Sequence, residues 1–247
     1  AGGSKIEVNQ SILTYSPLLW DIDAPNLYTM VSELYENDSL VDSQKNTFGF
    51  RTIAINKDKG FFLNGRHVPL YGTCNHQDHA GVGVAVSDSV NEYRIKLLKE
   101  MGSNAYRCAH GNPNPEILDY CDKYGILVIA DVGVSADAFK AAGDFRIFSD
   151  GTLFPLVEGI ITERVTALRS HTCLAGFAFL SFCGEGKNLF DAISLVKSLC
   201  PLPVFYAGDP ADTVRTSGYD SRPDIFVCPP DLSVFDDPFA GKKPAVA

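Results

Sequence analysis

The chain has 247 residues, enough for one large domain or one domain with part of another, and its 45% hydrophobic content excludes a disordered polymer. A formal net charge of −9 without any Lys/Arg block excludes a surface built to track a nucleic-acid backbone, so a neutral or weakly charged small ligand fits better. Seven cysteines with no CxxC pair argue against a zinc or disulfide framework and favour a reducing compartment such as the cytoplasm, and no apolar run of about 18 residues offers a membrane span.

The opening AGGSKIEV has no secretory pattern and reads as internal sequence. Ile6–Val8, Leu27–Leu34 and Asn46–Ile55 alternate in β fashion, with turn signals at Asp21–Asn26 and Tyr35–Ser39. They predict the last strands of an all-β, immunoglobulin-like sandwich over residues 1–55.

From Gly60 the pattern changes. FFLNGRHVPLYGT predicts a hairpin turning at Asn64-Gly65 and then a buried strand. A helix follows over Ser89–Met101, with Val90, Tyr93, Ile95, Leu97 and Leu98 on its apolar face and Gly102 as its stop. Asn104–Ala109 is a strand, Pro115–Tyr124 a helix framed by proline and Gly125, and Ile126–Asp131 a strand apolar on both faces. Gly133–Gly151 is a long connection without a legible pattern. Beyond it come a helix around Leu153–Arg169, a strand at Leu174–Cys183, a helix at Asn188–Leu199, and strands at Pro203–Ala207, Asp224–Cys228 and Pro244–Ala247. Such alternation predicts an α/β fold, a (β/α)8 TIM-type barrel over residues 56–247 that is incomplete at its C-terminal end. An open barrel has a bare strand edge, so further chain or a partner subunit is expected to close it.

In such a barrel the chemistry sits at the carboxyl ends of the strands. The first strand ends in Asn75, His76, Gln77, Asp78 and His79, a cluster of donors and acceptors that suits a hydroxyl-rich ligand or, more blandly, a solvated loop. Two histidines three residues apart lack a third ligand at a credible spacing, so no metal is expected. Arg107 lies within the second strand and must be paired, either orienting site carboxylates or holding the barrel together. His110 follows it. Asp131 ends the third strand, as a substitute site acid or, more simply, a helix cap or loop hydrogen bond. Glu185 follows the apolar run LAGFAFLSF, between glycines, where a lone carboxyl can serve as a general acid or simply lead into a helix. His171, before the same strand, belongs to the opposite end and reads as structural. Asp209, Asp212, Tyr219 and Asp220 lie near the expected mouth, and Tyr206 or Phe182 could give an aromatic platform. GVGVAV at Gly81–Val86 lacks the third glycine of a nucleotide fingerprint, and no cofactor is expected.

These motifs resemble glycoside hydrolase family 2, especially its β-galactosidase-like members. LLWDIDAPNLYTMVSEL at Leu18–Leu34 is similar to the end of that family's immunoglobulin-like domain, and FGFRTIAI at Phe48–Ile55 to the passage into its barrel. LNGRHVPLYGTCNHQDHAG, NAYRCAHGNPNPEILDYCDKYG and DIFVCPP are similar to the first, second and sixth barrel strands. The resemblance implies retaining hydrolysis of β-linked glycosides, most simply β-galactosides, within a larger enzyme. It makes Glu185 the acid/base and His110 a sugar contact, and Asn75, His76, Asp78, His79, Arg107 and Asp131, at the same strand ends, are expected to bind substrate with it. The partner is then a carbohydrate, with neither nucleic acid nor membrane. The chain also departs from the family. Gly184 stands where an asparagine precedes the acid/base glutamate, Ala130-Asp131 replaces an Asp-Glu pair, and the family's nucleophile falls just past KKPAVA. These departures imply the alternative, a catalytically silent barrel that binds carbohydrate or serves as a structural subunit.

Overall fold

The computed structural model describes residue 3 and residues 6–56, 58–132, 151–179, 187–206, 225–227 and 245–246. Strands β1 (Tyr28–Glu36) and β2 (Ser39–Phe48) form an antiparallel hairpin, turning through Asn37 and Asp38 at positive φ. Ile6–Val8 lies in no strand and its apolar side chains are exposed, because an alternating triplet gains nothing without a neighbour to share its backbone hydrogen bonds. The strand expected through Asn46–Ile55 is two strands in two sheets. Phe48 ends β2, and Ile53 begins β3 (Ile53–Asn56), which pairs with β4 (Gly60–Leu63) and through it with β5 (Arg66–His67). The break has a physical cause. At Gly49 the backbone passes so close to another segment that a Cβ would lie 2.7 Å from Thr172 Cγ2. Two residues on, Arg51 donates to the carbonyls of Thr172 and Leu174.

The β4–β5 hairpin turns at Asn64 and Gly65 with φ of 52° and 77°, the two positive values that an Asn-Gly turn of this type needs. The rest of the described chain is a barrel wall. Seven parallel strands follow one another in chain order: β6 (Gly72–Asn75), β7 (Ala105–Cys108), β8 (Leu127–Asp131), β9 (Leu174–Phe179), β10 (Val204–Tyr206), β11 (Ile225–Val227) and β12 (Ala245–Val246). Helices α1 (Asp88–Glu100), α2 (Pro115–Tyr124), α3 (Phe154–Leu168) and α4 (Lys187–Leu199) cross between the first five. Among the described residues, no helix is long and apolar enough to cross a membrane.

Local signals explain the helix ends. Proline opens α2, where a missing N–H costs nothing, and Gly125 closes it in the left-handed conformation, φ 70°. The buried face of α1 differs from the expected one: Asn91, Ile95 and Leu98 are buried while Tyr93 is exposed. The i, i+4, i+7 row alone points inward, so neighbouring apolar residues fall on the flank.

Strand parity sorts the sheet into two faces. Tyr106, Cys108, Val128, Ala130, Phe177, Phe179, Val204 and Tyr206 join the main core with Ile95, Leu118, Ile161 and Ile193 of the helices. The residues between them face the barrel axis, where Ala178 and Phe205 pack with Ile129 and Ile55. Tyr206 is therefore a core residue rather than an aromatic platform; it is 3% exposed.

Candidate active site

All seven strands run the same way, so their carboxyl ends share one rim. Asn75, Cys108 and Ala130 are in register, and Asp131 lies opposite Ala178. Glu185 comes six residues after β9 and, with Gly184, Phe182, Asp209, Asp212, Tyr219 and Asp220, lies outside the described residues.

On the axial face Cys74, Arg107 and Ile129 are in register. Arg107 Nη2 donates to Asp131 Oδ2 at 2.9 Å, and Nη1 donates to Cys74 Sγ at 3.2 Å. Asp131 has no side-chain exposure and Arg107 only 19%, so the pair is largely withdrawn from water. Burial alone would lower the guanidinium's pKa; the Cys74 sulfur and Asp131 outweigh it and raise the value, keeping Arg107 charged.

Just past the ends of β6 and β7, the imidazoles of His76 and His110 are stacked with centroids 5.0 Å apart and planes 15° apart. His110 holds φ 64°, in the left-handed region that non-glycine residues seldom adopt. With Asp78, Gln77 and Gly111 the two rings line an open recess of about 590 Å³. Two neighbouring imidazoles and a carboxylate at a barrel mouth supply hydrogen bonds of both polarities, as a ligand with many hydroxyls requires.

Two expected contributors do not line this recess, although His76 also lines the recess beside Asn75. Asn75 shares its face with Cys108, and its amide donates to Thr73 Oγ1 at 2.7 Å; it lines a second recess, of about 290 Å³, with Leu97, Leu98 and Met101 of the α1 segment. His79 bonds Arg94 through Nδ1 at 2.9 Å. Arginine only donates, so Nδ1 is the acceptor and the ring carries its proton on Nε2. Sequence reasoning missed Arg94, although its place one residue before Ile95, beside the buried row of α1, was a signal: an arginine at the edge of an apolar face needs a partner.

At the opposite rim, His171 Nδ1 bonds Asp122 Oδ2 at 3.0 Å and lies 3.8 Å from Asp119. Asp122 also accepts from Cys173 N at 2.5 Å, and its carbonyl accepts from Trp20 Nε1 at 2.8 Å. These bonds tie α2 to the start of β9, which gives His171 a structural place.

Comparison with known proteins then decides the family. The glycosyl hydrolases family 2 TIM barrel domain matches residues 53–208, and a second domain of glycosyl hydrolases family 2 matches residues 2–51. The chain belongs to glycosyl hydrolase family 2. Beta-galactosidase BoGH2A of Bacteroides ovatus is 36% identical over 163 residues, covering 66% of this chain and 19% of that protein. A beta-glucuronidase of Bacteroides fragilis is 37% identical over 202 residues, covering 80% of this chain and 28% of that protein. The crystal structure of a beta-glycosidase from Bacteroides vulgatus has a TM-score of 0.76 and 27% identity, covering 94% of this chain and 29% of that one. This family 2 chain thus spans less than a third of the length of these relatives.

Proposed function

We propose that this chain is the central part of a β-glycosidase that cleaves a β-linked galactoside by retaining double displacement. In this reading the sandwich remnant and the barrel meet at β3. Glu185, delivered by the strand after β8, protonates the glycosidic oxygen and later activates water. His76, His110 and Asp78 bind the sugar hydroxyls at the mouth, and the Arg107–Asp131 pair sets the field of the site. The second carboxylate comes from the family's nucleophile position just past the seventh barrel strand, β12 here, so the whole protein is the object to assay.

One observation supports the reading: just past the carboxyl ends of the adjacent parallel strands β6 and β7, the imidazoles of His76 and His110 stack and line one open recess with Asp78. A stack of exposed rings contributes little to folding and offers hydrogen-bonding nitrogens to a polar ligand. The beta-galactosidase and beta-glucuronidase relatives support a glycoside substrate, and the first of them supports the galactoside reading.

The test is turnover of chromogenic β-galactoside and β-glucuronide by the whole protein, with Glu185→Gln beside it. Hydrolysis of the galactoside, reduced about 10²–10⁴-fold by the substitution, is the expected result. Saccharide binding without turnover would establish instead the silent barrel that Gly184 in place of asparagine suggests.

A further inference from the structure

Resting on that reading of the mouth, we propose that Arg94 of α1 is the positioning residue of the site: it clamps the β6–α1 loop so that His76 stays stacked on His110. The loop has little of its own to hold it. His79 and Gly83 bridge each other across it, which shapes the loop without fixing it to the barrel. Val82 and Val84 are 51% and 79% exposed, so they anchor nothing. Polar ties must set its position.

Arg94 supplies three of them to successive residues: Nη1 to Gln77 O at 3.4 Å, Nη2 to Asp78 O at 2.6 Å and Nη2 to His79 Nδ1 at 2.9 Å. Gln77 in turn donates from its side chain to Asn112 O in the loop after β7, joining the loops that carry the two imidazoles. On the other side of His76, Asn75 O accepts from Ala109 N at 3.1 Å, next to His110. His76 is thus fixed from both flanks, by the sheet before it and by the Arg94 clamp after it. A rigid guanidinium fork suits three fixed acceptors; an ammonium on a flexible stem serves them one or two at a time.

The test uses the whole protein with histidine rings labelled for NMR, as wild type, Arg94→Ala and Arg94→Lys. Arg94→Ala should shift the ring signals of His76 and His110 while leaving His171, at the other rim, in place. It should lower kcat/KM on a chromogenic β-galactoside by about 10²-fold with little change in Tm. Millimolar guanidinium should restore part of the loss, and Arg94→Lys should fall between. Unmoved His76 and His110 signals would overturn the proposal. So would a loss of activity matched by a fall in Tm with every histidine signal moving, since that marks general destabilisation. If Arg94→Ala does not fold, Arg94→Lys carries the same comparison. Should the wild type hydrolyse no glycoside, the functional reading fails, and the ring signals alone still decide the role of Arg94.

Discussion

The Asp131 side chain has no exposure to water, and Arg107 on the next strand gives it an ion-pair partner at 2.9 Å. Removing either group breaks that ion pair. Asp131→Ala should therefore lower the unfolding free energy by about 3–5 kcal/mol in urea titration, and adding Arg107→Met should recover part of that loss. A double variant as unstable as the sum of the singles would show that the two charges do not act on each other. The thiols obey the same desolvation rule. Burial pushes Cys108 up to about 12 and raises Cys121 and Cys173 well above the usual thiol value, whereas Cys74 is exposed. Alkylation at pH ~8 read by mass spectrometry should label Cys74 readily and Cys108, Cys121 and Cys173 only after unfolding. Part of this was legible in advance: an arginine within an apolar strand had to be paired. Its partner was not, because which residue of β8 stands beside Arg107 is a matter of register, and register is set across strands.

Among elements, one carboxylate bridges α1 and α2 at the surface of their seam. Glu92 of α1 accepts from Tyr124 Oη at 2.5 Å and Lys123 Nζ at 3.1 Å, with Lys96 Nζ 3.4 Å away. The Tyr124 hydrogen bond first, and Lys123 second, hold its pKa down to about 2 from 4.5. A depressed carboxylate pKa means that the unfolded chain binds the proton more readily. Glu92 then stabilises the fold fully above pH about 4.5, and the contribution drains away as pH falls toward about 2. Glu92→Gln should thus lower Tm at pH ~6, with the gap to wild type closing below pH ~4; a gap constant across that range would remove the carboxylate from the account. The same elements show what a sequence reveals. Pro115 and Gly125 bound α2 at both ends because capping is local, and Asn64-Gly65 specifies its turn for the same reason. The break between β2 and β3 depends on Gly49 meeting Thr172, more than a hundred residues away, and no local pattern encodes that.

At the scale of the whole molecule the two rims of the barrel divide the labour. One displays exposed histidines on a clamped loop; the other is a sealed junction where distant segments converge. Strand-end motifs made the first legible, because polar residues abruptly ending an apolar strand are visible one residue at a time. The junction was not, because its groups meet only in three dimensions. Its centre is Trp20, fully buried, whose backbone N–H donates to Phe50 O at 2.8 Å and whose carbonyl accepts from Asn64 Nδ2 at 2.9 Å. Its ring N–H donates to Asp122 O at 2.8 Å, and the Asp122 carboxylate orders the entry into β9. Nearby, Lys99 Nζ donates to Ile22 O at 2.5 Å and Gly125 O at 3.1 Å, closing the ends of α1 and α2 over the segment that precedes β1. Trp20→Ala empties a sealed site and should cost about 3–5 kcal/mol, whereas Trp20→Phe retains most of the apolar volume and should lose chiefly the Asp122 hydrogen bond, about 1–3 kcal/mol. Urea unfolding followed by circular dichroism separates these, since the chain's single tryptophan is lost in both variants. If Trp20→Phe proves as costly as Trp20→Ala, the indole hydrogen bond rather than packed volume holds the junction; if neither moves the midpoint, Trp20 is not what joins the N-terminal segment to the barrel.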